Sequence, residues 1–133
     1  MSENSKLIFV YGTLKKGFHL HHYMNGAKFI DTVSTREAAY DLEAIGGEDV
    51  SPFPAMIPGR YHITGELYDV PDKILRVLDK LEWRYQRIEL MLQDIVPPAF
   101  FYLYDQKKVT NTLPNNPMVW LDSLGKTKTW IIL

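Results

Sequence analysis

Two short stretches of the sequence carry residues that could do chemistry, and the first is the turn Gly12-Thr13-Leu14. It follows a run from Leu7 to Tyr11 that is entirely apolar or aromatic, which is typical of a strand buried on both faces. Gly12 can adopt a positive φ and lets another group approach the backbone closely. The amides of Thr13 and Leu14 would then face a concavity able to hold a carboxylate or phosphate. The competing interpretation is an ordinary turn with nothing bound.

The second stretch ends at Glu82, which closes a predicted helix. A carboxylate at a helix C-terminus meets the negative end of the helix dipole, which is unfavourable by about 0.3 to 1 kcal/mol at an exposed site. This repulsion, with Leu81 and Trp83 excluding water, would raise the pKa of the Glu82 carboxylate and make it a better base, and Asp79 one turn earlier would add to the effect. The competing interpretation is a surface glutamate neutralised by Arg84 or Arg87.

Three histidines, His19, His21 and His22, raise the question of a metal site. Residues two apart diverge on a helix, and no carboxylate cluster lies near them in sequence to complete a ligand set. The sequence contains no cysteine, which removes disulfides, thiol catalysis and cysteine-ligated zinc together. We therefore expect no metal and no cofactor, and interpret the histidines as polar or packing groups.

Hydrophobic periodicity predicts the elements that must position these residues. Alternating or continuous apolar runs predict strands over residues 7–11, 27–33, 38–45, 62–70, 85–92 and 99–104. The period changes over residues 72–82, where Ile74, Leu75, Leu78 and Leu81 form one face of a predicted helix that Pro71 suits at its start. Prolines at 52, 54 and 58 predict a stiff loop instead of a central strand. Strands before and after one strong helix predict an α+β fold.

Length, charge and the chain ends bound the class of protein. At 133 residues we expect a single domain that buries a core without cross-links. The 15 basic and 16 acidic residues are interspersed, which argues against an extended nucleic acid as partner. The short polar N-terminus and the absence of a long apolar run predict a cytoplasmic protein without a membrane span. The apolar C-terminus, with Trp120 and Trp130, is expected to dock on its own domain or to form a homo-oligomer.

Four sequence blocks occur in a characteristic order and spacing. They are Phe9-Val10-Tyr11-Gly12-Thr13-Leu14-Lys15-Lys16-Gly17, Phe53-Pro54-Ala55-Met56-Ile57-Pro58-Gly59, Gly65-Glu66-Leu67-Tyr68-Asp69-Val70 and Leu78-Asp79-Lys80-Leu81-Glu82. Together they resemble the gamma-glutamylcyclotransferase-like family, and its AIG2-like branch in particular. The resemblance implies a small mixed β-barrel flanked by helices, forming one domain over residues 1–133, with residues 106–133 as a family-variable C-terminal extension.

The resemblance also implies a reaction. Glu82 would be the catalytic general acid/base, and the α-amine of a γ-glutamyl group would attack its own γ-carbonyl, releasing an amine and closing 5-oxoproline. No cofactor takes part. The implied substrate-binding residues are Tyr11, Gly12, Thr13, Leu14, Tyr85 and Arg87.

One departure from the family pattern lies directly after Glu82. The family usually has glycine there and a longer turn before a Tyr-x-Arg, whereas here Trp83 and Arg84 lead straight to Tyr85. The alternative function is therefore a non-catalytic protein that binds a small anionic or nucleotide-like ligand in the same pocket, with tyrosines as aromatic walls. We expect an open pocket bounded by residues 11–14 and Glu82, with Trp83 at its rim.

Overall fold

The structure is a computed structural model that describes residues 4–47, 50–82, 85–104, 113 and 116–131. Trp83, which was expected at the rim of the pocket, and Arg84 lie outside the described residues, as does most of residues 105–115. In chain order the elements are β1 (Ser5–Val10), a 3₁₀ turn (His21–Met24), β2 (Lys28–Ser34), β3 (Tyr40–Gly47), β4 (Val50–Pro58), β5 (His62–Pro71), α1 (Asp72–Leu81), β6 (Tyr85–Leu92), β7 (Ile95–Tyr104), β8 (Val119–Leu121) and β9 (Thr127–Trp130).

The main sheet has seven strands in the order β6-β7-β1-β5-β9-β8, with β2 on the other side of β5. β1 lies in its interior, parallel to β7 and antiparallel to β5. Its residues alternate between two cores, because Phe9 packs in one cluster with Trp130 while Ile8 and Val10 pack in another with Leu78. The prediction of a central strand buried on both faces is confirmed.

The proline-rich segment differs from the prediction. It forms β4, which pairs along its length with β3 in a separate two-stranded sheet. A strand with one hydrogen-bonded neighbour tolerates proline, since a missing amide costs nothing on the open side. The prediction of a loop was therefore wrong. Prolines argue against a central strand, but they do not argue against a strand with a single hydrogen-bonded neighbour.

Helix α1 forms as its periodicity predicted. Pro71 precedes its first turn and Asp72 lies within that turn, where its charge favours the positive end of the helix dipole. Leu75 and Leu78 are buried, so the apolar face packs on the core that contains Ile8 and Val10. Strands with a single α-helix among the described residues give an α+β fold in which the sheet curls into a half-barrel, as the resemblance implied.

The C-terminal residues dock on their own domain. β9 pairs in parallel with β5, and Trp130 is fully buried in the main core. Trp120 and Leu121 on β8 are exposed, so β8 offers its apolar surface outward. Across the described residues, no helix has the length and apolarity needed to cross a bilayer.

Candidate functional site

In the turn after β1, the described backbone hydrogen bonds involve the carbonyls of the turn and not its amides. We call residues 12–14 the cradle loop. The carbonyl of Gly12 accepts from the Lys15 amide (2.9 Å), that of Thr13 from the Leu20 amide (3.2 Å), and that of Leu14 from Nδ1 of His21 (2.8 Å). The three amides of the cradle loop donate to no acceptor in the described part of the chain. The loop therefore uses all of its carbonyls internally and keeps its donors available, which is the arrangement of an anion-binding turn.

Gly12 is required by close packing and not by its dihedral angle. Among the described residues of this turn, the positive φ falls at Gly17 (92°), so the expectation of a positive φ at Gly12 is not met. A Cβ on Gly12 would overlap the ring of Pro54, with Pro54 Cβ at 3.0 Å. The proline of β4 thus lies directly against the cradle loop, and only glycine leaves room for both.

Glu82 lies where the sequence predicted it, at the end of α1. It is the C-cap residue, with its amide donating to the Leu78 carbonyl (2.8 Å). Its own carbonyl accepts from the amide of Tyr85 (2.9 Å), the first residue of β6. The backbone of Glu82 is therefore fixed by hydrogen bonds at both its amide and its carbonyl, and its side chain is partly buried.

The cradle loop and Glu82 line the same cavity, which we call the cleft. Its volume is about 30 Å³, enough for one or two water-sized groups. The cleft is lined by Phe9, Val10, Tyr11, Gly12, Thr13, Leu14, Pro54, Glu82, Tyr85 and Tyr102. Two stretches some seventy residues apart in sequence thus meet at one site. An organic ligand larger than this must widen the cavity or extend out of it.

Two buried tyrosines line the cleft as neutral hydroxyls. The Tyr11 hydroxyl donates to the Tyr102 carbonyl (2.7 Å) and accepts from the Met56 amide (3.3 Å). Burial, followed by nearby Tyr85 and Glu82, raises the pKa of Tyr11 well above its ordinary value. Burial likewise raises the pKa of Tyr102, with the Asp79 carboxylate and Glu82 adding to it. Glu82 raises both pKa values from the lining of the same cleft.

Asp79 and Arg87 form a paired unit beside the cleft. Arg87 donates from Nε and an Nη to the two oxygens of Asp79 (3.0 and 3.2 Å), and Tyr102 donates to Asp79 Oδ1 (2.8 Å). A bidentate pair of this kind balances the carboxylate charge. Asp79 therefore repels Glu82 less than its position one turn earlier indicated. Arg87, expected among substrate-binding residues, is absent from the cleft lining and holds Asp79 instead.

Tyr85 is a predicted binding residue that the fold brings to the cleft. It lines the cleft and donates from its hydroxyl to the Pro54 carbonyl (2.7 Å). This bond ties β6 to β4 across the cleft wall. Pro54 was not among the site residues predicted from the sequence, although it belongs to one of the four sequence blocks, in Phe53-Pro54-Ala55.

A second, larger groove is lined by residues from the segment after the cradle loop, from β2 and from β5. Its volume is about 620 Å³, and it is lined by Lys16, His21, His22, Met24, Asn25, Gly26, Ala27, Phe29, Thr32, Glu66 and Tyr68. Its polar groups largely satisfy one another: Glu66 Oε1 accepts from the Lys16 amide (2.9 Å) and the Tyr68 hydroxyl (3.0 Å). Within the described ranges, no three histidine or acidic side chains gather in a way that could hold a metal ion.

Comparison with known proteins identifies the family. The family model described as gamma-glutamyl cyclotransferase, AIG2-like, matches residues 8–122. The gamma-glutamylaminecyclotransferase of Mus musculus is 40% identical over 95 residues, which are 65% of this chain and 62% of that protein. A putative gamma-glutamylcyclotransferase of Methanocaldococcus jannaschii is 32% identical over 71% of this chain and 82% of its own length.

A solved structure agrees with these matches. The crystal structure of an AIG2-like protein from Mus musculus aligns with a TM-score of 0.66 at 29% identity, covering 86% of this chain and 92% of that one. The chain belongs to the AIG2-like gamma-glutamyl cyclotransferase family. It spans about three fifths of the length of the first curated relatives it matches, at 62% and 61%.

Proposed function

We propose that the protein is a cyclotransferase that converts a γ-glutamyl amine or amide to 5-oxoproline and a free amine, with Glu82 as general acid/base. The observation that carries this proposal is the cleft itself, whose lining combines the partly buried Glu82 with three residues whose amides have no acceptor in the described chain. The family membership and the names of the relatives support the same chemistry.

In the proposed reaction the cradle loop anchors the substrate and Glu82 moves a proton. The α-ammonium of the γ-glutamyl group gives a proton to Glu82, because an ammonium has no lone pair with which to attack. The freed nitrogen attacks the γ-carbonyl carbon and forms the five-membered ring. Amides of Gly12, Thr13 and Leu14 bind the substrate carboxylate or the oxygen that becomes negative in the tetrahedral intermediate.

The second half of the reaction releases the amine. The γ-carbon to nitrogen bond breaks as Glu82 returns its proton to the leaving nitrogen. The ring nitrogen loses its second proton through Glu82 to the released amine, which leaves as an ammonium, so that the carboxylate is regenerated. Holding both ends of one molecule fixes a near-attack geometry, which supplies several kcal/mol of the barrier without any added cofactor. In this proposal Tyr85 forms a wall of the substrate site. Arg87 does not contact the substrate and acts on the site only by holding Asp79.

The size of the cleft favours one competing function. Ligand pockets commonly measure about 300 to 1,000 Å³, so a cavity of about 30 Å³ fits a small anion better than a nucleotide unless the walls move. A protein that binds a carboxylate or phosphate without turnover would use the same amides. A substrate must open the cleft, whereas a small anion need not.

Product detection distinguishes the two functions. We would incubate the protein with γ-glutamyl amines, including one with an ε-lysyl leaving group, and with γ-glutamyl peptides, and measure 5-oxoproline by mass spectrometry. The matched control substrate is the N-acetylated form of each compound, whose blocked nitrogen cannot attack. Release of 5-oxoproline from the free compounds alone supports the enzyme. Tight binding of glutamate or phosphate with no product from any compound would replace it with the binding function.

A further inference from the structure

The strand registers place the C-terminal strand beside the cradle loop. On one side of β5, β2 pairs Ser34 with Thr64 and Thr32 with Glu66. On the other side, β1 pairs Val10 with Glu66, and β9 pairs Thr129 with Thr64. β1 and β9 therefore lie on the same side of β5, one after the other. β1 pairs with β5 as far as Val10, and β9 pairs with the residues of β5 that come next. The chain that leaves β1 enters the cradle loop next to the end of β9.

Lys15 bridges this junction from the residue that follows the cradle loop. Only 9% of its surface is exposed, and its Nζ donates to the Trp130 carbonyl (2.7 Å). The ammonium also lies 5.4 Å from the centre of the Phe18 ring. A lysine is rarely buried to this degree, since removing an ammonium from water is costly unless it is compensated.

The compensation at Lys15 is partial. Burial lowers the pKa of the Lys15 ammonium, and the carboxylate of Glu66 opposes that shift. The hydrogen bond to a carbonyl is charge-assisted and therefore stronger than a neutral one. The Lys15 side chain makes one short hydrogen bond to a distant strand although its burial is costly in solvation. This bond restrains the backbone to which the side chain is attached.

The restrained backbone is the cradle loop. The Lys15 amide donates to the Gly12 carbonyl (2.9 Å), so the same residue closes the turn and ties it to β9. The side chain of Trp130 is fully buried in the main core, which makes its carbonyl a rigid anchor. Trp130 lies beyond the segment that the family model matches, residues 8–122.

We propose that Lys15 is a positioning residue, whose bond to the Trp130 carbonyl holds the amides of the cradle loop in the cleft and makes β9 part of the site. The effect on turnover rests on the proposed cyclotransferase function. The restraint itself does not, because it concerns the free protein.

Hydrogen exchange tests the restraint without any substrate. Lys15→Met keeps most of the aliphatic stem and removes the donor, while Lys16→Met is the matched control, since that neighbouring side chain is exposed. We expect amides in residues 11–20 and 127–131 to exchange at least about fivefold faster in Lys15→Met, with α1 unchanged, and no change in Lys16→Met. Unchanged exchange, or equal acceleration in every segment, would overturn the proposal.

A second variant covers the case in which Lys15→Met does not fold. Lys15→Gln keeps a polar side chain, but its amide ends one bond short of the ammonium. We expect the same local acceleration in residues 11–20 and 127–131. Slow exchange in a folded Lys15→Gln protein would show that the bond to Trp130 is not needed and would overturn the proposal.

Kinetics then connect the restraint to the reaction. The substrate carboxylate keeps its charge throughout the reaction, so its binding by the cradle loop acts equally on substrate and transition state. Loss of the restraint on this binding should raise KM about tenfold in Lys15→Met and leave kcat within about twofold. A merely structural loss would lower the active fraction, and hence apparent kcat, with KM unchanged, and that result would overturn the positioning role. If the wild-type protein forms no 5-oxoproline, the proposed function fails, and the exchange experiment still decides the restraint.

Discussion

The cleft and the groove differ in volume and in how far their hydrogen-bonding groups are already used within the protein. The groove measures about 620 Å³ and the cleft about 30 Å³. In the groove, Glu66 already accepts two hydrogen bonds and Nδ1 of His21 already donates to Leu14. In the cleft, three backbone amides have no acceptor in the described chain. Unused hydrogen-bonding capacity in the same cavity as Glu82 marks a site better than size, because polar groups without a partner gain most from a ligand.

The largest expected effect separates these two regions directly. Glu82→Gln keeps size and shape but cannot accept a proton, so kcat for 5-oxoproline release should fall at least about a hundredfold. Phe29→Ala, which removes an exposed wall of the groove, should leave kcat within about twofold. Glu89→Gln, the same chemical change at an exposed position on β6, is the control. A large loss in Phe29→Ala with an unaffected Glu82→Gln would move the site to the groove.

The next largest effect is expected on stability, at the contact between Gly12 and Pro54. Gly12→Ala places a methyl group in the Pro54 ring, and such overpacking should lower the free energy of unfolding by about 1 to 3 kcal/mol. Chemical denaturation measures it. In the double variant with Pro54→Ala the clash is relieved, so the two losses should not add and should differ from additivity by about 1 kcal/mol. Strict additivity would contradict the contact.

A smaller effect is expected at the paired unit beside the cleft. Arg87→Met leaves Asp79 with Tyr102 as its hydrogen-bond donor, which should cost about 1 kcal/mol of stability because the pair is partly exposed. Arg76→Met, on the exposed face of α1, is the matched control and should cost nothing measurable. Equal melting temperatures for the two variants would show that the pair contributes no stability.

The smallest effect is a dependence on alkaline pH. Because the pKa of Tyr102 is raised in the folded protein, the unfolded chain loses this proton first, at about pH 10. Its stabilising contribution is complete below that pH and is lost as pH rises further towards the folded pKa. The stability difference between wild type and Tyr102→Phe should therefore shrink from pH 8 to pH 10.5 in urea unfolding. A constant difference would contradict the shifted pKa.

The elements of the fold could largely be predicted from the sequence. The period of apolar residues located α1 and the central strand β1, since burial on one helical face or on both faces of a strand leaves a local pattern. The strand β4 was not predicted, because its prolines exclude only a strand with two hydrogen-bonded neighbours. Whether a strand has one neighbour or two is decided by the rest of the sheet.

The two halves of the candidate site were also recognisable in sequence, as a glycine turn after a buried strand and a carboxylate at a helix end. The sequence did not indicate that Arg87 pairs with Asp79, that Pro54 covers Gly12, or that Lys15 reaches the Trp130 carbonyl. Local chemistry and periodicity are properties of neighbouring residues, so the sequence by itself determined them. Partners separated by as many as 115 residues depend on strand order and register, and these only the tertiary structure decided.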